Sequence, residues 1–182
     1  MPTLPNTPAP QDPNTADIAH LAARLKAGDH TAWERLVNTF RARAVAYFIT
    51  GSFDSHTAED LVQESFAQAY GSIHTLSQPR KLIPWFYTIA SRVAAGNFPS
   101  RTELAADSQF SEPLIDTTPH LDAKTRQHVI NTLTQKEREL LYLRHVIGLS
   151  PKEIAAMNDM TYASVATRLW KIRRKLTRLL RR

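Results

Sequence analysis

The chain has 182 residues, no cysteine, 42% apolar residues and a formal net charge of +6. The missing thiols exclude disulfides and thiolate metal sites, and no stretch approaches the roughly 18 apolar residues of a membrane span. The seven histidines are scattered, and neither a glycine-rich phosphate loop nor a nucleophile–base arrangement stands out, so no enzyme, metal or cofactor is expected and a cytoplasmic location fits.

Residues 1–15 hold five of the eleven prolines and almost no large apolar side chains, a composition expected to be disordered. They lack a basic run followed by an apolar one, so no secretory leader is expected. Residues 16–98 are helical in pattern throughout, without the alternation of a strand. Ile18, Leu21, Ala22 and Leu25 mark a first helix, stopped near Gly28-Asp29. Trp33, Leu36, Val37, Phe40, Ala44, Tyr47 and Phe48 mark a longer second one ending at Gly51. Thr57-Ala58-Glu59-Asp60 is placed to cap a third, which runs through Leu61, Val62, Phe66 and Ala69. A polar stretch from Gly71 to Arg80 then leads to a fourth helix with Trp85, Phe86, Ile89 and Val93. Trp85 follows the apolar period of that helix and is expected in the core.

Residues 99–120 are punctuated by proline and carry Glu103, Asp107, Glu112 and Asp116, which reads as a flexible acidic linker between two domains. Beyond it, Leu121 to Leu133 has the period of a helix. Thr134-Gln135-Lys136-Glu137 is a capping box that opens another, and Gly148 suits its C-terminal end. A second capping box, Ser150-Pro151-Lys152-Glu153, starts a short helix with Ile154, Ala155 and Met157 inside; Asn158-Asp159-Met160 is a break of turn length. Thr161 then caps a last helix whose apolar stripe is Val165, Leu169, Ile172, Leu176 and Leu179. This is the helix-turn-helix layout, in which the second helix enters the major groove. Charge agrees with it: residues 126–182 hold thirteen Lys/Arg against four Asp/Glu, a surplus of nine on a chain of +6. Such a surplus is the electrostatic footprint of a polyanion, because each neutralised phosphate releases counterions. Ser164, Thr167 and Arg168 lie where side chains reach base edges, whereas Lys171, Arg174, Lys175 and Arg178 lie further along, at phosphate positions. Trp170 adjoins the apolar stripe and is expected to pack.

The stretch Ala58-Glu59-Asp60-Leu61-Val62-Gln63-Glu64-Ser65-Phe66 resembles the core-binding signature of bacterial RNA polymerase sigma factors. The extracytoplasmic-function (ECF) group, which keeps only regions 2 and 4, is the most similar. Pro84-Trp85-Phe86-Tyr87-Thr88-Ile89-Ala90 resembles the start of that group's promoter-melting helix, while Leu133 to Leu141 and Ser150 to Leu180 resemble region 4. The resemblance implies an all-α protein of two small helical domains: region 2 over 16–98 and a region 4 helix-turn-helix domain over 121–182. It implies a promoter-specificity and melting factor with two main partners, core RNA polymerase (the β′ coiled coil and the β flap) and promoter DNA. Many such factors also have an anti-sigma protein. No membrane insertion is expected.

By the same resemblance Asp60, Gln63 and Glu64 would contact polymerase. Dipole preference for acids at a helix start accounts for Glu59 and Asp60, but Gln63 and Glu64 lie deeper. His74, Ser77, Gln78, Arg80, Lys81, Tyr87 and Arg92 would serve the −10 element, the loop residues receiving a flipped base and the cations its backbone. Ser164, Thr167, Arg168, Lys171, Arg174 and Lys175 would serve the −35 element. The acidic linker would run toward the polymerase active centre and leave through the RNA exit path. The chain departs from the family pattern at Ile83, Gly96 and Pro99-Ser100, where relatives carry Arg, Asp and an Arg-rich run, and at Ala166, where a basic residue is common. A weakened hold on −10 DNA is therefore expected. The other reading is a free-standing regulator that uses the helix-turn-helix directly. It has no need of the Asp60–Gln63–Glu64 surface or of the Trp85 helix.

Overall fold

The computed structural model describes residues 15–97 and 123–180, and every regular element among them is helical. The first, α1 (Thr15–Lys26), buries Ile18, Leu21, Ala22 and Leu25, one apolar stripe. It stops at Gly28, whose φ of +78° is the left-handed conformation that glycine tolerates best. Asp29 then caps α2 (His30–Thr50), accepting from the N–H groups of Thr31 and Ala32 at 2.9 and 3.3 Å. The Thr31 hydroxyl and the Arg24 guanidinium, 2.7 Å away, hold the Asp29 carboxyl down at about 2. It therefore stays a carboxylate, the form that caps well.

The third helix, α3 (Ser55–Ser72), begins earlier than the sequence predicts. Its cap is Asp54, which accepts from the N–H groups of His56 and Thr57, while the Thr57 hydroxyl donates to the same carboxylate at 2.6 Å. Thr57 is thus inside the first turn, because a carboxylate three residues upstream outcompetes a hydroxyl for the orphan donors. A polar link of two 3₁₀ turns, Ile73–Thr75 and Pro79–Lys81, leads to α4 (Leu82–Gly96). This helix packs on α3, and α3 on α2. At the centre, Phe86 is fully buried; its ring lies 4.9 Å from that of Phe66 and 6.1 Å from that of Phe40.

The C-terminal unit opens with α5 (Ala123–Thr132), inside the predicted span of 121–133. Next, α6 (Gln135–Leu141) starts at the predicted capping box: the Thr134 hydroxyl accepts from the Glu137 N–H, and the Glu137 carboxylate from the Thr134 N–H. It does not end as a plain α-helix. Tyr142–Val146 form a π-helical turn, closed by Ile147 N–H donating to the Tyr142 carbonyl at 3.0 Å. Leu149 N–H then reaches back to the Leu143 carbonyl at 2.9 Å across Gly148, whose φ is +84°. This is a seven-to-one bond, one residue longer than the six-to-one bond of the usual glycine stop, as follows from the extra residue of the π turn. The short α7 (Pro151–Met157) and the long α8 (Tyr162–Leu180) follow and pack on each other, with α6 also against α8.

The two helical domains are in contact. The α6 helix and the π turn lie on α2, α7 lies on α4, and buried side chains from both domains join in one continuous apolar cluster. The all-α, two-domain architecture therefore holds, and among the described residues the domains are closed on one another.

Truncating a fully enclosed ring tests this account of the core. Phe86→Ala should destabilise the chain by about 3–5 kcal/mol, read as a lower midpoint in denaturant unfolding. A loss under 1 kcal/mol would mean that Phe86 is not central.

Candidate nucleic-acid interface

The helix-turn-helix is assembled by local bonds. Ser150 Oγ accepts from Glu153 N–H at 3.3 Å, and the Glu153 carboxylate accepts from Ser150 N–H at 2.9 Å and from its hydroxyl at 2.7 Å. The turn is Asn158-Asp159-Met160, with Asp159 at φ +51°. Met160 N–H donates back to Ala155. Thr161 caps α8 by accepting from Ser164 N–H at 3.2 Å, and the Thr161 and Ser164 hydroxyls lie 2.8 Å apart. Inside, Val165 and Ile172 are buried against Ile154, Ala155 and Met157, with Leu169 and Leu176 partly buried. Outside, Ser164, Thr167, Arg168, Lys171 and Arg174 are exposed along one face.

Three residues differ from expectation. Lys175 is not an open phosphate contact: it is half-buried, and its ammonium donates to the Glu137 carboxylate at 2.8 Å, tying α8 to the start of α6. Burial pushes the Glu137 carboxyl up, but the Lys175 ammonium and the Thr134 N–H outweigh it and leave it below the ordinary range. Trp170 does not pack into the stripe. It is 46% exposed, with the Arg174 guanidinium 4.8 Å over its ring, so both project from the surface together. Ser164 is exposed, yet its hydroxyl is already engaged in the cap.

The structure adds one residue that the sequence did not offer. Lys136, on the first turn of α6, lines a cleft of about 230 Å³ together with Arg168 and Lys171. Three cations converge there, and the one carboxylate on the wall, Glu137, is satisfied by Lys175. An anion such as a DNA phosphate fits this chemistry. Nothing linear joins Lys136 to Arg168; the surplus of basic residues in this half was the sole signal.

On the N-terminal domain, Asp60, Gln63 and Glu64 are exposed on α3, at the i, i+3, i+4 spacing of a shared face. Because α3 starts at Ser55, its first turn holds no acid, and the dipole no longer accounts for Glu59 or Asp60. Glu59 instead pairs with Arg41 at 2.8 Å, and His56 approaches Asp60 at 3.3 Å. Glu64 has a structural duty besides: it accepts from Gln68 at 3.0 Å and from Asn97, the residue capping α4, at 3.3 Å.

His74, Ser77, Gln78, Arg80 and Lys81 lie together, exposed, in the link between α3 and α4. The link is anchored by buried Leu76, whose carbonyl accepts from Lys26 at 3.0 Å, and by Trp85 Nε1, which donates to the Thr75 hydroxyl at 3.2 Å. Trp85 is half-buried rather than in the core. Arg92 is exposed. Tyr87 is a correction: it has no exposed surface and sits edge-on to Tyr47 with ring centroids 5.5 Å apart, so it is a core residue and offers nothing to DNA. The resemblance placed it with the −10 residues, but its ring packs on Tyr47 of α2, and α4 is covered by α3 and by α7. Ile83 is half-buried against the core, which suits its apolar chain better than a cation. Gly96 is the last residue of α4. Pro99-Ser100 and the linker acids lie outside the described residues. No cluster of three or more His, Cys, Asp or Glu suited to a metal ion occurs among the described residues, and none of the helices there is long and apolar enough to cross a membrane.

Residues 33–97 match the family described as Sigma-70 region 2, and residues 127–176 match Sigma-70, region 4. Among similar proteins is the ECF RNA polymerase sigma factor BldN of Streptomyces coelicolor, 27% identical over 93% of this chain and 68% of its own length. The RNA polymerase sigma-H factor of Pseudomonas aeruginosa is 26% identical over 88% of this chain and 92% of its own. The fold is similar to that of CnrH, solved with the cytosolic domain of CnrY, at a TM-score of 0.64 and 21% identity over 90% of this chain and 96% of that one. It is also similar to the sigma factor RpoE of Bartonella quintana, solved with the anti-sigma factor NepR, at a TM-score of 0.56 and 20% identity over 81% of this chain and 96% of that one. Region 2 followed by region 4, on a helical fold shared with these proteins, means that the chain belongs to the sigma-70 family and has the two-region layout of its ECF members.

Proposed function

We propose that this chain is a dissociable specificity subunit of bacterial RNA polymerase, acting in the cytoplasm and without catalytic chemistry of its own. Residues 16–98 bind core polymerase and hold single-stranded −10 DNA, residues 121–182 read −35 duplex DNA, and residues 99–120 join them. The observation that carries this reading is the pairing, in one chain, of a helix-turn-helix with a cationic outer face and a separate helix presenting Asp60, Gln63 and Glu64 to solvent. A free-standing regulator needs only the first. Acidic and amide groups on one exposed helical face suit a partly basic partner through steering and hydrogen bonds.

In the C-terminal unit the roles divide by position. Arg168 reaches base edges, where a guanidinium makes two hydrogen bonds to guanine, and Lys136 and Lys171 hold the adjoining phosphate. Arg174, stacked on Trp170, extends the cationic track. In the N-terminal unit, His74, Ser77 and Gln78 meet an unstacked base and Arg80, Lys81 and Arg92 its backbone. Lys175 braces α8 and leaves the phosphate set. An anti-sigma protein of the kind seen with the RpoE neighbour is a further partner, one that would cover these same surfaces.

Co-elution with core polymerase, compared with binding of the chain alone to duplex DNA, tests the whole reading. A stoichiometric complex with core is expected, and tight specific DNA binding without polymerase affinity would replace it with the regulator. Arg168→Ala should cost about 1–3 kcal/mol on the preferred −35 sequence and less on altered ones. An equal loss on every sequence would make Arg168 a phosphate contact. Lys136→Gln should weaken holoenzyme–promoter binding on all sequences alike and reduce the slope of log affinity against log salt by about 1. An unchanged slope would remove Lys136 from the interface. Asp60→Ala with Gln63→Ala, which spares the Glu64–Asn97 bond, should lower affinity for core while the melting temperature stays put. Unaltered affinity would move the polymerase surface elsewhere.

A further inference from the structure

We propose that α1 is the platform of the link between α3 and α4, and that Lys26 at its end is a positioning residue for the side chains that receive an unstacked base. The consequence for DNA rests on the assignment of His74, Ser77 and Gln78 to that base. The brace itself does not.

Most fastenings of the link are internal. The Thr75 hydroxyl donates to the Ser72 carbonyl at 2.7 Å and accepts from Trp85 Nε1 at 3.2 Å. Leu76 N–H closes the first 3₁₀ turn on the Ile73 carbonyl at 3.1 Å, and Lys81 N–H closes the second on the Gln78 carbonyl at 2.8 Å. Between the turns the backbone is extended at Leu76 and Gln78. The Leu76 side chain is buried, and the carbonyl of such a residue needs a donor. The donor comes from α1: Lys26 Nζ reaches that carbonyl at 3.0 Å, across 50 residues of sequence. The helix it comes from rests on both 3₁₀ turns, although it precedes residues 33–97, the stretch that matches region 2.

A cation in the last turn of a helix is favoured by the dipole whatever else it does, and α1 has two, Arg24 and Lys26. They are used differently. Arg24 closes its own helix end, donating to Asp29 and Thr31 at 2.7 Å each. Lys26 is spent on the backbone of another segment. The dipole accounts for a cation at the end of α1 but not for its reach to Leu76.

That bond acts on Ser77. A peptide unit is planar, and in the trans form its carbonyl and the following N–H point opposite ways. Holding the Leu76 carbonyl toward α1 therefore fixes the plane of the Leu76–Ser77 peptide and turns the Ser77 N–H away from α1. Each base-receiving side chain adjoins a fastened residue. His74 precedes Thr75, Ser77 follows Leu76, and Gln78 precedes Pro79, whose ring keeps it extended. All three are exposed. Contacts to an unstacked base must offset its lost stacking, and ordering the link at that moment would subtract from them. A link ordered in advance by α1 favours one base over the others more than a link that settles around whichever base arrives.

Two variants and two measurements test the brace. Lys26→Met removes the donor and the charge, and Lys26→Arg keeps both. In the full chain alone, Lys26→Met should speed hydrogen exchange over residues 72–82 by roughly two- to tenfold, with α2 and α3 unmoved, and Lys26→Arg should stay near the parent. The holoenzyme is then bound to single-stranded oligonucleotides carrying each of the four bases in turn at each −10 position. Lys26→Met should lower the preference for the favoured base by roughly two- to tenfold, with an unchanged slope of log affinity against log salt, and Lys26→Arg should retain the preference. Unmoved exchange in Lys26→Met would overturn the brace, as would an equal rise over every helix. An equal loss on every base, with a slope smaller by about 0.7, would make Lys26 a phosphate contact and overturn the positioning role. Faster exchange with the base preference intact would overturn that role as well. Faster exchange where the parent holoenzyme prefers no base would uphold the brace and defeat the assignment of the link to −10 DNA instead.

Discussion

The aromatic rings of α2 and α4 are the packing on which the other elements depend. Phe40, Tyr47, Phe86 and Tyr87 meet edge to face, with centroids 5.5–6.1 Å apart, and Phe66 of α3 closes on Phe86. Rings of this size bury large areas and prefer edge-to-face contacts, so a few of them fix the angles between helices. With α4 held this way, α3 has a single orientation: its apolar residues turn in, and Asp60, Gln63 and Glu64 turn out. The link from α3 to α4 is then short and pinned, which places His74, Ser77 and Gln78 beside Arg80 and Lys81. From the same cluster Tyr47 extends the packing to Tyr142, and so the C-terminal domain is seated on the rings that organise the N-terminal one.

Charge is separated along the chain as sharply as apolar surface is. The C-terminal segment holds a surplus of nine, more than the +6 of the whole chain, and within it burial selects which cations are available. Lys175 is drawn into a bond with Glu137, Arg138 into the domain interface, and Arg174 onto Trp170. Of the exposed cations of α8, Arg168 and Lys171 line a cleft that Lys136 completes from α6. A polyanion would therefore meet a few positioned groups rather than a diffuse charge. Positioned groups are what sequence selectivity requires.

Much of this was legible in the residues themselves, and the division follows the range of each interaction. Capping boxes at Thr134 and Ser150, glycine stops at Gly28, Gly51 and Gly148, and the apolar stripe of α8 act within four or five residues, so their patterns predict helices and ends. Charge counting located the DNA-facing half because charge adds up whatever the fold. Where a nearer competitor existed, local reading slipped, as with Asp54 displacing Thr57. The assignments that only tertiary structure decided all concern partners distant in sequence. A resemblance in sequence does not say how many faces of a helix are covered, so Tyr87 was placed at the DNA although its ring is buried on Tyr47 of α2. Lys175 and Glu137 are 38 residues apart, and Tyr142 and Arg43 are 99 apart. No spacing rule reaches across such intervals. These pairs form because burying one aromatic cluster leaves the helices a single way to close.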